Sequence, residues 1–199
     1  MVLRKINFVL AILVALVGLY LAFAPLYPSA SLWIRTLLAD ERDGYKYASQ
    51  LATNAGLTDL PPAPKGNRLV IPQILVDGEI HEGTSPFTLD QGIWHRPLSS
   101  TPAEGGNTVL AAHRYLYSSG PNTFYSLDKL AIGDEFYLMW EDKEYDYKVT
   151  SIREVPPTAI EIEAPTDANI VTLYTCTPLW SAKNRLVVVA ELTNQEVLQ

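Results

Sequence analysis

The stretch NIVTLYTCTPLWSAKNRLVVVAEL, Asn169–Leu192, holds two runs of strand-forming residues joined by a short proline-bearing loop, and it carries the only cysteine of the chain, Cys176. β-Branched residues dominate both runs, so they read as consecutive antiparallel strands connected through Thr177–Asn184. Neighbouring strands lie about 5 Å apart. Cys176, ending the first run, and Arg185, opening the second, are therefore expected at one end of a sheet, where a thiolate would have a cationic neighbour. A packed thiol beside a solvated arginine fits the same spacing, and strand pairing alone leaves both readings open.

The same texture extends N-terminally as far as Arg68. The runs RLVIPQILV, NTVLAAH, DEFYLMW and KEYDYKVTSI are separated by turn residues, which predicts an all-β barrel or sandwich. Phe136, Leu138 and Trp140 alternate with Glu135, Tyr137 and Met139, giving that strand two distinguishable faces. Glu141–Lys143 then reads as a hairpin turn. VPPTAIEIEAPTDAN, Val155–Asn169, is too long and too rich in proline for a simple turn and is expected to be an ordered functional loop.

With 199 residues, 48% of them hydrophobic, the chain can form one domain with a real core plus something shorter. The shorter part is N-terminal. In MVLRKINFVLAILVALVGLYLAFAPLYP, Arg4 and Lys5 precede a largely apolar run, Ile6–Tyr27, long enough for a bilayer of about 30 Å at about 1.5 Å per residue. Basic residues before the span and an acidic chain after it predict an inside N-terminus and an outside body. Ala22–Ala24 offers a small-x-small cleavage pattern, but Pro25 would then open the mature chain, and the run exceeds the roughly 7 to 15 residues of a signal core. The expected organisation is a cytoplasmic N-terminus at 1–5, a retained transmembrane signal anchor at 6–27, a juxtamembrane stalk and linker at 28–67, and an extracellular domain at 68–199. Within the stalk, Leu32, Trp33, Ile34, Leu37 and Leu38 have loose helical spacing, and DLPPAPKGN, Asp59–Asn67, marks the linker.

A net charge of -7 and the lack of a basic stripe interleaved with aromatics argue against a nucleic-acid partner. A lone cysteine in an exported body cannot form an internal disulfide, so it is either buried and inert or kept for its reactivity. Reactivity requires a base, and the chain has histidines at His81, His95 and His113. His113 directly follows the apolar run of NTVLAAH, at a strand end where side chains from several strands converge. His95, in GIWHRP, is its competitor; His81, between glutamates, reads as a surface residue.

TLYTC at Thr172–Cys176, RLVV from Arg185, and GNTVLAAHR at Gly106–Arg114 together resemble the signature segments of the sortases, membrane-anchored cysteine transpeptidases of bacterial surfaces. The likeness covers roughly Leu69–Leu192, and the order histidine, cysteine, arginine is also the family's. The resemblance implies a closed β-barrel of about eight strands with short helices, following an N-terminal transmembrane helix. It further implies that Cys176 is the nucleophile, His113 the general acid and base, and Arg185 the group that holds the sorting signal and stabilises the oxyanion. Thr175, Ala112 and Trp180, beside them, are assigned to substrate binding; Ala112 stands where the family often has glycine.

The reaction implied is cleavage of an LPxTG-like signal between Thr and Gly on an exported protein, followed by transfer to an amine of a cell-wall precursor or a pilin lysine. The body would work outside a bacterial cell on a single-pass anchor. The sequence lacks the Asp-Pro-aromatic lid motif of pilin sortases and ends at Gln199 soon after the last strand, which resembles the single-anchor classes D and E. No cofactor is expected. Some sortases bind calcium between loops, and Glu104, Glu161, Glu163 and Asp167 are the residues here that such a site would draw on. The competing reading without catalysis is a membrane-tethered β-domain for surface interaction, with Cys176 as packing only.

Overall fold

The computed structural model describes residues 2–23, 66–115 and 122–197; side chains are described for 10–20 within the first segment and up to 195 at the C-terminal end. The chain divides into two units, residues 1–38 and 39–199. In the first, a helix α1 covers Val2–Phe23, and its described side chains, including Leu10, Leu13, Val14 and Leu16, are exposed. Among the described residues no helix is long and apolar enough to cross a membrane. The expected stalk and nearly all of the proline-rich linker lie outside the described residues.

The second unit is the expected closed barrel of eight strands. They are β1 (Arg68–Ile71), β2 (Val76–Glu82), β3 (Ile93–His95), β4 (Asn107–Ala111), β5 (Glu135–Trp140), β6 (Lys143–Val155), β7 (Ile170–Thr177) and β8 (Asn184–Val197). Around the barrel they run β1-β2-β3-β4-β7-β8-β6-β5 and close by pairing β5 with β1. β7 and β8 pair antiparallel, as their sequence indicates. β4 runs parallel to β7, a pairing that residues far apart in sequence must find.

Local chemistry sets where strands stop. RLVIPQILV is not one strand but two, because Pro72 cannot donate to a ladder; it opens a short 3-10 turn, Pro72–Ile74, and Leu75 adopts φ 55° before β2 begins. Glu141 and Asp142 both have positive φ, 48° and 60°, the backbone of a type I′ turn, which matches the right-handed twist of β5 and β6. The alternation read in β5 is realised over its first four residues: Phe136, Leu138 and Trp140 are buried in the barrel core, Phe136 stacks on its cross-strand neighbour Tyr147 at 5.8 Å, and Met139 on the opposite face is buried as well. Leu69, Ile71, Leu110, Leu173 and Val188 complete the same core.

The long loop between β6 and β7 is held both by an apolar contact, Ala159 and Ile162 packed with Val187, and by polar groups. It contains a 3-10 turn, Ile160–Glu163, of which only Ile162 is buried. Asn107, at the start of β4 and itself buried, donates from Nδ2 to the carbonyls of Ile162 and Ala164 at 3.1 and 3.0 Å, and its Oδ1 accepts from Thr172 Oγ1 at 2.7 Å. Removing this amide orphans a buried hydroxyl and two carbonyls. Asn107→Ala is expected to destabilise the domain by about 3 kcal/mol, read as a lower urea midpoint at unchanged slope.

Candidate active site

Cys176 and Arg185 are directly paired in the β7–β8 register, so the end of one strand presents the thiol beside the guanidinium that opens the next. The third group arrives on β4. Its parallel register with β7 pairs Ala111 with Tyr174, and continuing it by two residues sets His113 alongside Cys176. A side chain secures this alignment: Thr175 Oγ1 donates to the Ala112 carbonyl at 2.8 Å, fastening the residue before the cysteine to the residue before the histidine.

Cys176, His113 and Arg185 line one cleft of about 350 Å³. Its rim includes Pro86 and Leu89 from the turn after β2 and Pro157, Ala159 and Ile160 from the β6–β7 loop; Ala111, Ala112 and Thr175 contribute to its wall. The cysteine is half-buried and unbonded to any other cysteine, and one end of the cleft is therefore nucleophilic and cationic while the rim is apolar. That combination suits an extended, mostly apolar peptide whose carbonyl must be attacked and whose developing oxyanion needs a donor.

Of the three histidines, only His113 lines the cleft. Its Nε2 meets Asp90 Oδ1 at 3.2 Å, an orienting contact that no spacing rule indicates, since Asp90 lies 23 residues upstream in a turn. His95 is buried, with Nδ1 against Glu82 at 2.8 Å, Nε2 against the Ser100 carbonyl at 2.9 Å, and its ring edge-on to Trp140. Its nitrogens are committed to the barrel wall. Arg185 lines the cleft while its Nη1 donates to the carbonyls of Ala182 and Asn184, both at 3.2 Å, so the connecting loop braces the guanidinium.

The assigned substrate-binding residues separate. Thr175 and Ala112 are buried in the cleft wall, with the threonine hydroxyl spent on the alanine carbonyl. Trp180 is exposed at φ 68°, does not line this cleft, and rests its ring on Tyr115 at 4.3 Å. Among the cleft residues to which the sequence assigns no role are Trp94, Arg96 and Tyr174. Arg96 stacks over Trp94 at 4.2 Å and makes a two-point pair with Glu163, Nε to Oε1 at 2.8 Å and Nη2 to Oε2 at 3.2 Å. Tyr174 donates to the same Oε1 at 2.7 Å. Burial, together with the Glu163 carboxylate, pushes the Tyr174 phenol well above its ordinary value. For Arg96 burial works the other way, but the hydrogen bond and charge of Glu163 outweigh it and hold the guanidinium more firmly protonated.

Of the acidic residues named for calcium, Glu104, Glu163 and Asp167 border one polar cavity of about 520 Å³ between the segment before β4 and the β6–β7 loop, whereas Glu161 is not part of its lining. Glu163 is held by Arg96 and Tyr174, Glu104 accepts from Thr101 Oγ1 at 3.2 Å, and Glu161 and Asp167 are exposed. Among the described residues no group of three His, Cys, Asp or Glu is placed to hold a metal ion. The set does not fit the six to eight oxygens that calcium takes.

Comparison with known proteins agrees with this geometry. The sortase domain matches residues 69–193. Sortase A of Bacillus anthracis is 33% identical over 87 residues, 44% of this chain and 40% of that protein. Sortase SrtE2 of Streptomyces coelicolor is 30% identical over 134 residues, 59% of this chain and 51% of that protein. The matches thus span about half or less of these curated relatives. The crystal structure of sortase A from Listeria monocytogenes superposes with a TM-score of 0.61 at 26% identity, over 67% of this chain and 90% of that one. With an eight-stranded closed barrel matching that fold, and a domain match over residues 69–193, the chain belongs to the sortase family, whose members are cysteine transpeptidases.

Proposed function

We propose that the protein cleaves an LPxTG-like sorting signal between Thr and Gly on exported proteins and transfers the Thr acyl group to an amine acceptor at the cell surface. The observation that carries this reading is the meeting of Cys176, His113 and Arg185 in one peptide-sized cleft. The Cys176 thiolate adds to the Thr carbonyl, and the oxyanion that forms is stabilised by Arg185, whose fork is permanently charged. Collapse of the tetrahedral adduct breaks the C–N bond, with His113 giving its proton to the departing glycine amine. The thioacyl enzyme is then attacked by the acceptor amine, from a cell-wall precursor or a pilin lysine; His113 takes a proton from that amine, and the thiolate departs.

The domain 68–199 is proposed to work outside the bacterial membrane, tethered by the apolar segment 6–27 through the stalk 28–67. The apolar, exposed side chains of α1 support this. Thr175 and Ala112 are proposed to shape the substrate wall through backbone and methyl surface, and Trp180 to act on the acceptor side. The likeness to SrtE2 supports the single-anchor, class D or E type. The test is mass spectrometry of the full chain mixed with a library of sorting-signal peptides lacking an acceptor. The expected result is a covalent adduct on Cys176 equal in mass to the fragment ending in Thr. An unmodified chain across the library, or an adduct elsewhere, overturns the assignment and favours a surface-interaction domain.

A further inference from the structure

A single carboxylate, Glu163, joins three separate pieces of the domain beside the nucleophile. Arg96 comes from the segment leaving β3, Glu163 ends the 3-10 turn of the β6–β7 loop, and Tyr174 stands on β7 two residues before Cys176. Residues two apart on a strand share a face and lie about 6.5 Å from one another. The knot is therefore next to the reacting thiol, and Arg96, Glu163, Tyr174 and Cys176 all line the same cleft. Both oxygens of Glu163 are occupied, one by Arg96 Nη2, the other by Arg96 Nε and the Tyr174 hydroxyl.

We propose that Arg96 is a built-in structural cation, separate in role from Arg185: it holds the β6–β7 wall through Glu163 in place of a bound calcium ion, with Tyr174 as the second strut, so that the groove is built without metal. A calcium ion seated on Glu163 would lie against a guanidinium already in hydrogen-bond contact with the same carboxylate, and the two cations would repel. The arginine cannot lose its proton, so the clamp is present at any pH at which the carboxylate is ionised. Asn107 holds the carbonyls on either side of Glu163, and the wall is thereby fastened at both its side chain and its backbone. Arg96, Glu163 and Tyr174 are positioning residues: they shape the wall that binds the peptide and take no part in proton transfer. This part of the inference rests on the cleft being the sorting-signal groove.

The decisive measurement is amide hydrogen exchange over Thr158–Ala164 in the full chain, with a chelator and with added calcium. The parent chain is expected to show equal protection in both. Arg96→Gln is expected to speed exchange in this segment about tenfold, with Tyr174→Phe smaller and in the same direction. In peptide cleavage, Arg96→Gln is expected to raise KM about tenfold and leave kcat within about twofold. Protection in the parent that rises with calcium, or exchange unchanged in both variants, overturns the proposal. So does a fall in kcat at constant KM. Tyr174→Phe removes one hydroxyl only and keeps the test standing if Arg96→Gln fails to fold. Exchange reads the wall directly, so a parent chain that cleaves no peptide would defeat the functional reading while the calcium comparison still decides this one.

Discussion

Cys176→Ala is expected to lower kcat for transfer of a sorting-signal peptide by at least about 10⁴-fold while leaving the unfolding midpoint within about 0.5 kcal/mol of the parent. Both halves follow from position. The thiol is the one atom of the cleft able to form the acyl bond, and nothing replaces it, because the neighbouring hydroxyl of Thr175 is spent on the Ala112 carbonyl. The fold does not depend on it, because Cys176 lies at the end of β7, half-buried, and outside the barrel core formed by Leu173, Val171 and their neighbours. Steady-state kinetics with a fluorogenic peptide and urea denaturation separate the two. Retained transfer sinks the nucleophile assignment, whereas lost transfer with a collapsed midpoint means that the residue is packing.

His113→Ala is expected to cost about 10³-fold in kcat for an amide substrate, the usual scale for a positioned general acid. If the role is protonation of the leaving amine, the cost shrinks when the scissile amide is replaced by an ester, since an alkoxide leaves with far less help. The expected loss for the ester is about tenfold, and equal losses for the two substrates would place His113 in orientation rather than proton transfer. Asp90 gives a graded control. Its contact with His113 is partly exposed, and such pairs are worth about 0 to 1 kcal/mol, so Asp90→Asn should change kcat by no more than about fivefold.

The barrel was legible because its strands are locally declared. In β5 the alternation of Phe136, Leu138 and Trp140 is read from six adjacent residues, and the β5–β6 turn from two more. Cys176 and Arg185 were legible as a pair for the same reason: a short loop leaves their strands little choice but to be neighbours. β3 was invisible because it is three residues long and is stabilised by its partners rather than by its own pattern. The Arg96–Glu163 pair spans 67 residues and depends on where the β6–β7 loop folds back, which no spacing rule encodes. His95 illustrates the limit from the other side. A loop histidine beside proline has the look of a free base, and only the burial under Trp140 and the contact with Glu82 show that it is built into the wall.

The parallel pairing of β4 with β7 has a kinetic consequence. Between these strands the chain must first make β5 and β6, so the neighbours of the thiol are chosen late, after long loop closure. Synthesis from the N-terminus makes His113 well before Cys176, and β8 with Arg185 last of all. Until those final strands dock, the cysteine has neither its base nor its cation. Reactivity is thus deferred to the end of synthesis, and a chain cut short before β8 carries an idle thiol without its cation.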